Sequence, residues 1–332
     1  MQIDFFSVLI TVLSLILLAV PGYLLVKTKL LPEKAAETCS AIVLYGCQPA
    51  LVFMGFQKTE YDAQIGINML IVAGLSILVH LIMMGVAYLC IRNKDNNAKL
   101  NVVRYAFVFG NCGYMGLPFL QSLFGGEYLG EVLIYGAVVI AIFNIMCWTL
   151  GIYMITGDKK NMSFKKIVLN PTIIGVVLGF IVFVIAKVPI VNLATDGGTL
   201  DMILEKLVQS LNFLGDMVTP LAMIVIGIRL ANVNIKQLFM DKWAYIVCFF
   251  KLIIMSLVTM LITAFLPVGT IVKYALFFLL SMPCATNTAL FAIKFNSDGD
   301  SGSVFVLLST ILSIATIPLM FLIFTNLFGV VA

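Results

Sequence analysis

Apolar runs of membrane-spanning length alternate with short polar breaks along the whole chain. At about 1.5 Å of rise per residue, about 20 apolar residues cross ~30 Å of hydrocarbon. The pattern predicts spans at Phe5–Val26, Thr38–Phe56, Ile65–Ile91, Glu131–Ile155, Val168–Ala186, Leu207–Ile228, Trp243–Leu266 and Ser303–Phe328. Two further runs, Asn101–Phe124 and Ile271–Phe295, are as long as a span but carry helix-breaking residues inside. The expectation is an all-α integral membrane protein of about ten transmembrane helices, the fourth and ninth broken. The first run has no basic residue before it and is too long for a signal-peptide core, so it is expected to remain as a span.

The polar loop Thr156–Lys166 divides the chain into residues 1–157 and 158–332, each with five apolar runs. Arg104-Tyr105-Ala106 opens the fourth run and Lys273-Tyr274-Ala275 the ninth; Pro49 and Gly55 in the second match Pro220 and Gly227 in the seventh. An odd number of spans per half turns the second copy over in the membrane, so two inverted five-helix repeats are expected, a common plan of secondary transporters.

Composition narrows the class. The 332 residues are 62% hydrophobic and 11% charged, against about 25% charged in soluble domains. Only lipid can cover so much apolar surface. The net charge of +4 resides in loops: 15 of the 20 basic residues follow odd-numbered spans and four follow even-numbered ones. That bias places the odd loops in the cytoplasm and both termini outside, in a plasma (inner) membrane, and gives no sign of nucleic-acid binding. The seven cysteines show no metal spacing, and a single histidine argues against a His-rich metal site or a Ser-His triad. No enzyme is expected: Asp216 has no paired intramembrane aspartate, and no Ser/His pair stands out. There is no phosphate-binding GxxxxGK[ST] loop, so energy comes from gradients, and no cofactor is expected beyond a coupling H⁺ or Na⁺.

The interruptions carry the candidate chemistry. Gly110, Gly113, Gly116 and Pro118 crowd one segment; Ser281-Met282-Pro283-Cys284-Ala285-Thr286-Asn287-Thr288 is its counterpart. Unwound backbone at membrane depth is tolerated only where protein buries it or a cavity solvates it, and matched interruptions point to a transporter's binding site. Pro118 suits the first turn of a restarting half-helix, and Thr286 or Asn287 its N-cap in the other. Two helix N-termini facing one cavity favour an anion such as a carboxylate.

These residues also carry a resemblance. Asn111, Gly113, Gly116 and Pro118 resemble the first crossover of the auxin efflux carrier family, and Met282-Pro283, Ala285 and Asn287 the second. Pro220-Leu221-Ala222-Met223 with Gly227 resembles its seventh span, and Gly22 with Gln48-Pro49-Ala50-Leu51 its first two. The resemblance implies ten spans in two inverted repeats crossed at the prolines, with elevator-type alternating access; bacterial members include malate and malonate permeases. The long cytoplasmic loop of the plant carriers is absent, with only Thr156–Lys166 between the halves.

Substrate contacts are expected from Asn111, Gly113, Gly116, Pro118, Pro283, Thr286, Asn287, Asn144 and Gln48; the amides of Asn111, Asn144 and Asn287 offer donors without the desolvation cost of a charge and could equally be interhelical glue. Asp216, central in the seventh run, is expected to bind the coupling proton or cation, or to be a protonated structural acid. Lys251 either snorkels toward the cytoplasm or pairs with Asp216 or an anionic substrate. His80 is an interhelical hydrogen bonder or a proton relay. The Gly175/Gly179 pair is expected to pack helices closely. The function expected is a secondary carrier of small organic anions, with a sodium-coupled symporter of the bile-acid type or a cation/proton antiporter as the alternative. Expected partners are the lipid bilayer, a small-molecule carboxylate and a second copy in a homodimer.

Overall fold

The computed structural model describes residues 3–32, 34–93, 95–126, 128–193, 198–233 and 235–328; Lys94, one of the loop cations above, lies outside them. In chain order the main helices are α1 (Phe5–Lys27), α2 (Ala35–Lys58), α3 (Ala63–Cys90), α4 (Ala98–Val108), α5 (Leu117–Leu123), α6 (Tyr128–Thr156), α7 (Pro171–Ala186), α8 (Thr199–Asn232), α9 (Lys242–Ala264), α10 (Thr270–Leu280), α11 (Asn287–Lys294) and α12 (Gly299–Phe328). Among the described residues seven of these are long and apolar enough to cross a membrane, and an eighth is reached if α7 is joined to the short helix Phe164–Val168 before it. The pairs α4/α5 and α10/α11 are the two broken segments, each half too short to span alone.

Polar side chains fix several helix starts. Asp4 accepts from the Ser7 amide at 2.7 Å, Asp62 from Gln64, Asn97 from Leu100, Asn170 from Thr172 and Ile173, and Asp241 from Trp243. Each satisfies amides that have no partner inside their own helix. Four helical segments carry a π turn, at Val43–Cys47, Cys112–Gly116, Cys147–Gly151 and Phe249–Ile254. Nothing in the hydrophobic pattern signals them.

The sequence halves interleave in space. Helix α1 packs along α8, and α2 along both α7 and α8, forming one body. In the other, α3 lies on α6, α6 on α10, α9 on α12 and α11 on α12. Each body therefore draws helices from both halves, and they meet where α1 touches α12 and where α2 and α7 touch α6. The first body is held at glycines: a Cβ at Gly227 would fall on the Ala19 carbonyl, and one at Gly22 on the Ile224 carbonyl. Gly175 lies over the backbone of Pro49 and Gly179 over the Phe56 ring, the close packing expected of that pair.

Helix α8 begins at Thr199, not Leu207. Its 34 residues extend about 51 Å, well beyond ~30 Å of hydrocarbon. Before Val218 only Gly215 is buried.

The α1–α8 contact makes a direct prediction. Gly227→Val should destabilise the purified protein by about 1–3 kcal/mol, seen as a lower unfolding temperature. Gly66→Ala, with open space around the added carbon, should leave it unchanged. Equal unfolding temperatures for the two variants would discount the close packing.

Candidate functional site

Both broken segments use each other's backbone. Residue 109 leaves helical geometry, and the two extended stretches cross as an antiparallel bridge between Gly110 and Cys284. The Asn111 amide donates to the Pro283 carbonyl at 2.7 Å, and the Ala285 amide to the Phe109 carbonyl at 2.9 Å. Ser309 of α12 accepts from the Cys284 amide at 3.0 Å. Pro283, lacking a donor, contributes only an acceptor, so the crossing leaves no amide hydrogen at that point without a partner.

Beyond the crossing each chain re-enters a helix with its N-terminus uncapped by a side chain. The π turn Cys112–Gly116 follows Asn111 and runs into α5; α11 follows Thr286. Thr286 holds the N-cap position as expected, but its hydroxyl does not cap. Pro118 lies a turn further in than expected, inside the helix that Cys112 begins.

The two N-termini open on a small chamber of about 20 Å³. Of the residues expected to contact substrate, Gln48, Asn111, Gly113, Asn144, Thr286 and Asn287 all line it, joined by Tyr114, Phe143, Ile140 and Leu44. Gly116, Pro118 and Pro283 do not. Gly116 is a packing residue, with Leu279 at 2.6 Å from where its Cβ would stand, and Pro283 serves the crossing through its carbonyl. Gly113 makes room for Gln48, whose Nε2 would lie 2.6 Å from an added Cβ. The Asn111 Nδ2 is buried with no hydrogen-bond partner. Asn144 is engaged instead: its Nδ2 donates to the Ile140 carbonyl at 2.9 Å, and its Oδ1 accepts from Asn170 at 3.1 Å. Gln48 likewise accepts from Thr172 at 3.4 Å.

Asn144 and Asn287 also line a larger vestibule of about 740 Å³, together with Lys165, Lys166, Lys294 and Trp148. The ammoniums of Lys166 and Lys294 lie 5.1 and 5.8 Å from the centre of the Trp148 ring. The chamber is large enough for a water and too small for a carboxylate.

The three ionisable candidates sit apart from the chamber lining. Lys251 does not snorkel; its side chain is fully buried. Its ammonium donates to the Leu280 carbonyl at 3.0 Å and the Val108 carbonyl at 3.5 Å, and touches Met255 Sδ at 2.7 Å. Val108 and Leu280 are the last residues of α4 and α10, so two helix C-termini, each with partial negative charge, take the place of a carboxylate. Gly110 is required beside it, because an added Cβ would stand 2.7 Å from Lys251 Nζ. His80, also buried, bonds through Nδ1 to the Ser76 carbonyl at 2.7 Å and packs on Phe109. Asp216 is not in the interior: it is exposed where α8 passes Asp216, and accepts from Gln121 at 3.2 Å. Pairing between Lys251 and Asp216 is not formed. Among the described residues no group of His, Cys, Asp and Glu is placed to hold a metal.

A multi-pass helical membrane protein with paired helix breaks belongs among the transporters. The family profile described as membrane transport protein matches residues 7–165 and 159–321, and the chain belongs to this family, that of the auxin efflux carriers. It is similar to an uncharacterized transporter of Methanothermobacter thermautotrophicus, 26% identical over 313 residues, covering 93% of this chain and 96% of the relative. It is also similar to the uncharacterized transporter MJ1031 of Methanocaldococcus jannaschii, 24% identical over 310 residues, with 93% and 96% covered.

Lys251→Met leaves two buried helix-end carbonyls without their donor. It should cost about 1–3 kcal/mol in the thermal unfolding of the purified protein, whereas Lys294→Met at the vestibule should cost nothing measurable. A K251M variant as stable as its parent would show that the ammonium does not hold the crossing.

Proposed function

We propose that the protein is a secondary carrier of small organic anions, mono- and dicarboxylates, working by alternating access. On this reading it has ten spans in two inverted five-helix repeats, sits in the cytoplasmic membrane with both termini outside, and holds its solute at the crossing. The observation that carries the reading is the unpartnered Nδ2 of Asn111, buried beside two uncapped helix N-termini in one chamber. Donors and positive helix ends converging on a site without any charged side chain suit a carboxylate oxygen. A full counter-charge there would cost more to desolvate and would hold the solute too firmly to release.

The vestibule supports the same class of solute. Lys165, Lys166 and Lys294 surround its mouth and raise the local concentration of anions. They stand on the loops that the distribution of basic residues assigns to the cytoplasm, so on this reading the vestibule opens inward. His80 and Lys251, flanking the crossing, are the groups through which H⁺ or Na⁺ coupling would act on the site. Asp216, bound to Gln121 at the periphery, is removed from it.

Counterflow of ¹⁴C-labelled mono- and dicarboxylates in proteoliposomes tests the reading. Saturable exchange is expected for at least one acid, falling at least about ten-fold in Asn111→Ala and Asn287→Ala, the loss of one to two charge-assisted hydrogen bonds. Exchange of that acid untouched by both substitutions, or no acid exchanged at all, overturns it.

A further inference from the structure

A second cavity, of about 400 Å³, adjoins the vestibule and shares Glu37, Leu290 and Ile293 with it. Its walls come from both bodies: the start of α2 and end of α8 on one side, α11 and the start of α12 on the other. Arg229, in the last turn of α8, lines it. The Arg229 Nε is buried without a hydrogen-bond partner. Among the described residues the one ion pair within 4 Å joins Lys99 to Asp241, so none of their carboxylates closes on this guanidinium. A guanidinium so placed retains donor capacity that a bound carboxylate would use bidentately.

Two acids share the cavity. Glu37 in α2 and Asp300 in α12 both line it, and both are exposed, at its outer edge. The remaining wall holds Asn232 and Ser303 and an apolar part that includes Leu290, Val304 and Leu307. A simple carboxylate would meet the guanidinium but also two like charges; a simple amine would meet two carboxylates but also a like charge. A molecule with both groups a few ångströms apart satisfies every charged wall, and an apolar side chain fits what is left.

We propose that this cavity binds a zwitterionic α-amino acid with an apolar side chain, its carboxylate on Arg229, its ammonium between Glu37 and Asp300, and its side chain on Leu290, Val304 and Leu307. The inference is independent of the solute carried at the crossing. Because Arg229 and Asp300 belong to different bodies, the ligand bridges them.

Thermal unfolding of the full-length protein in lipid nanodiscs reads the binding, through mass-action stabilisation. Leucine, valine and phenylalanine are titrated beside 4-methylpentanoate, which lacks leucine's amine, and 3-methylbutylamine, which lacks its carboxylate. At least one amino acid should raise the unfolding temperature saturably, with both single-charge analogues at least about ten-fold weaker. Arg229→Gln and Asp300→Asn should each raise the half-saturating concentration by a similar factor, and Asn111→Ala should leave it alone. Should R229Q fail to fold, Arg229→Lys and the exposed D300N carry the test. No rise with any of the three amino acids, equal effects of the analogues, retention in the Arg229 and Asp300 variants, or loss in N111A would each overturn the proposal.

Discussion

The structure depends on one mutual arrangement: two interrupted backbones that hydrogen-bond to each other where lipid offers no partner. Either interruption alone would leave peptide groups unpaired, at several kcal/mol each in a hydrocarbon setting. Together they pair Asn111 with Pro283 and Ala285 with Phe109. Two kinds of helix end remain. The carbonyl ends of α4 and α10 face one way and the amide ends before α5 and α11 another. Lys251 occupies the first, while the second opens on the chamber. One pole of the crossing is thus met by the chain's own cation, and the other faces the chamber.

Burying an ammonium without an acid is costly, and several features share in making it tolerable. Two carbonyls at helix C-termini accept its protons, and Met255 contributes a polarizable sulfur. The π turn Phe249–Ile254 contains Lys251 itself, shifting the register of α9 so that the side chain turns toward the crossing. The other three π turns also adjoin the site: one precedes Gln48, one begins the half-helix after Asn111, and one contains Trp148 of the vestibule.

Much of this was legible in the chain. Glycines with a proline inside one run of spanning length, and Pro283 at the corresponding point of another, located both breaks. Asparagine and glutamine in otherwise apolar surroundings located most of the polar side chains of the chamber wall. The errors have physical reasons. Asp216 looked buried because it stands near the middle of its span; it is still near the midpoint of the longer α8, but on a face that the other helices leave uncovered. Gly116 and Pro118 belong to the same motif as Asn111 but face Leu279 and the helix interior, and sequence spacing across a π turn does not show which face a residue takes. Tyr114 was within the motif and was not singled out; Arg229 was counted only as a loop cation. The interleaving of the halves was invisible, since internal similarity marks which segments correspond and not which ones touch.

That interleaving bears on how the proposed alternation avoids breaking the costly pairing. All the hydrogen bonds of the crossing, with Lys251 and Ser309, lie among α4, α5, α9, α10, α11 and α12, inside one body. The tight glycine contacts of Gly22, Gly227, Gly175 and Gly179 lie inside the other. The chamber takes walls from both: Leu44 and Gln48 from α2, the crossing and α6 from the opposite side. Displacement of one body along the other would therefore move Gln48 relative to Asn111 and change which mouth is open, while every buried peptide group kept its partner. A carrier that instead opened by separating its broken helices would have to unpair Asn111 from Pro283 in each cycle, a barrier that the division into two bodies removes.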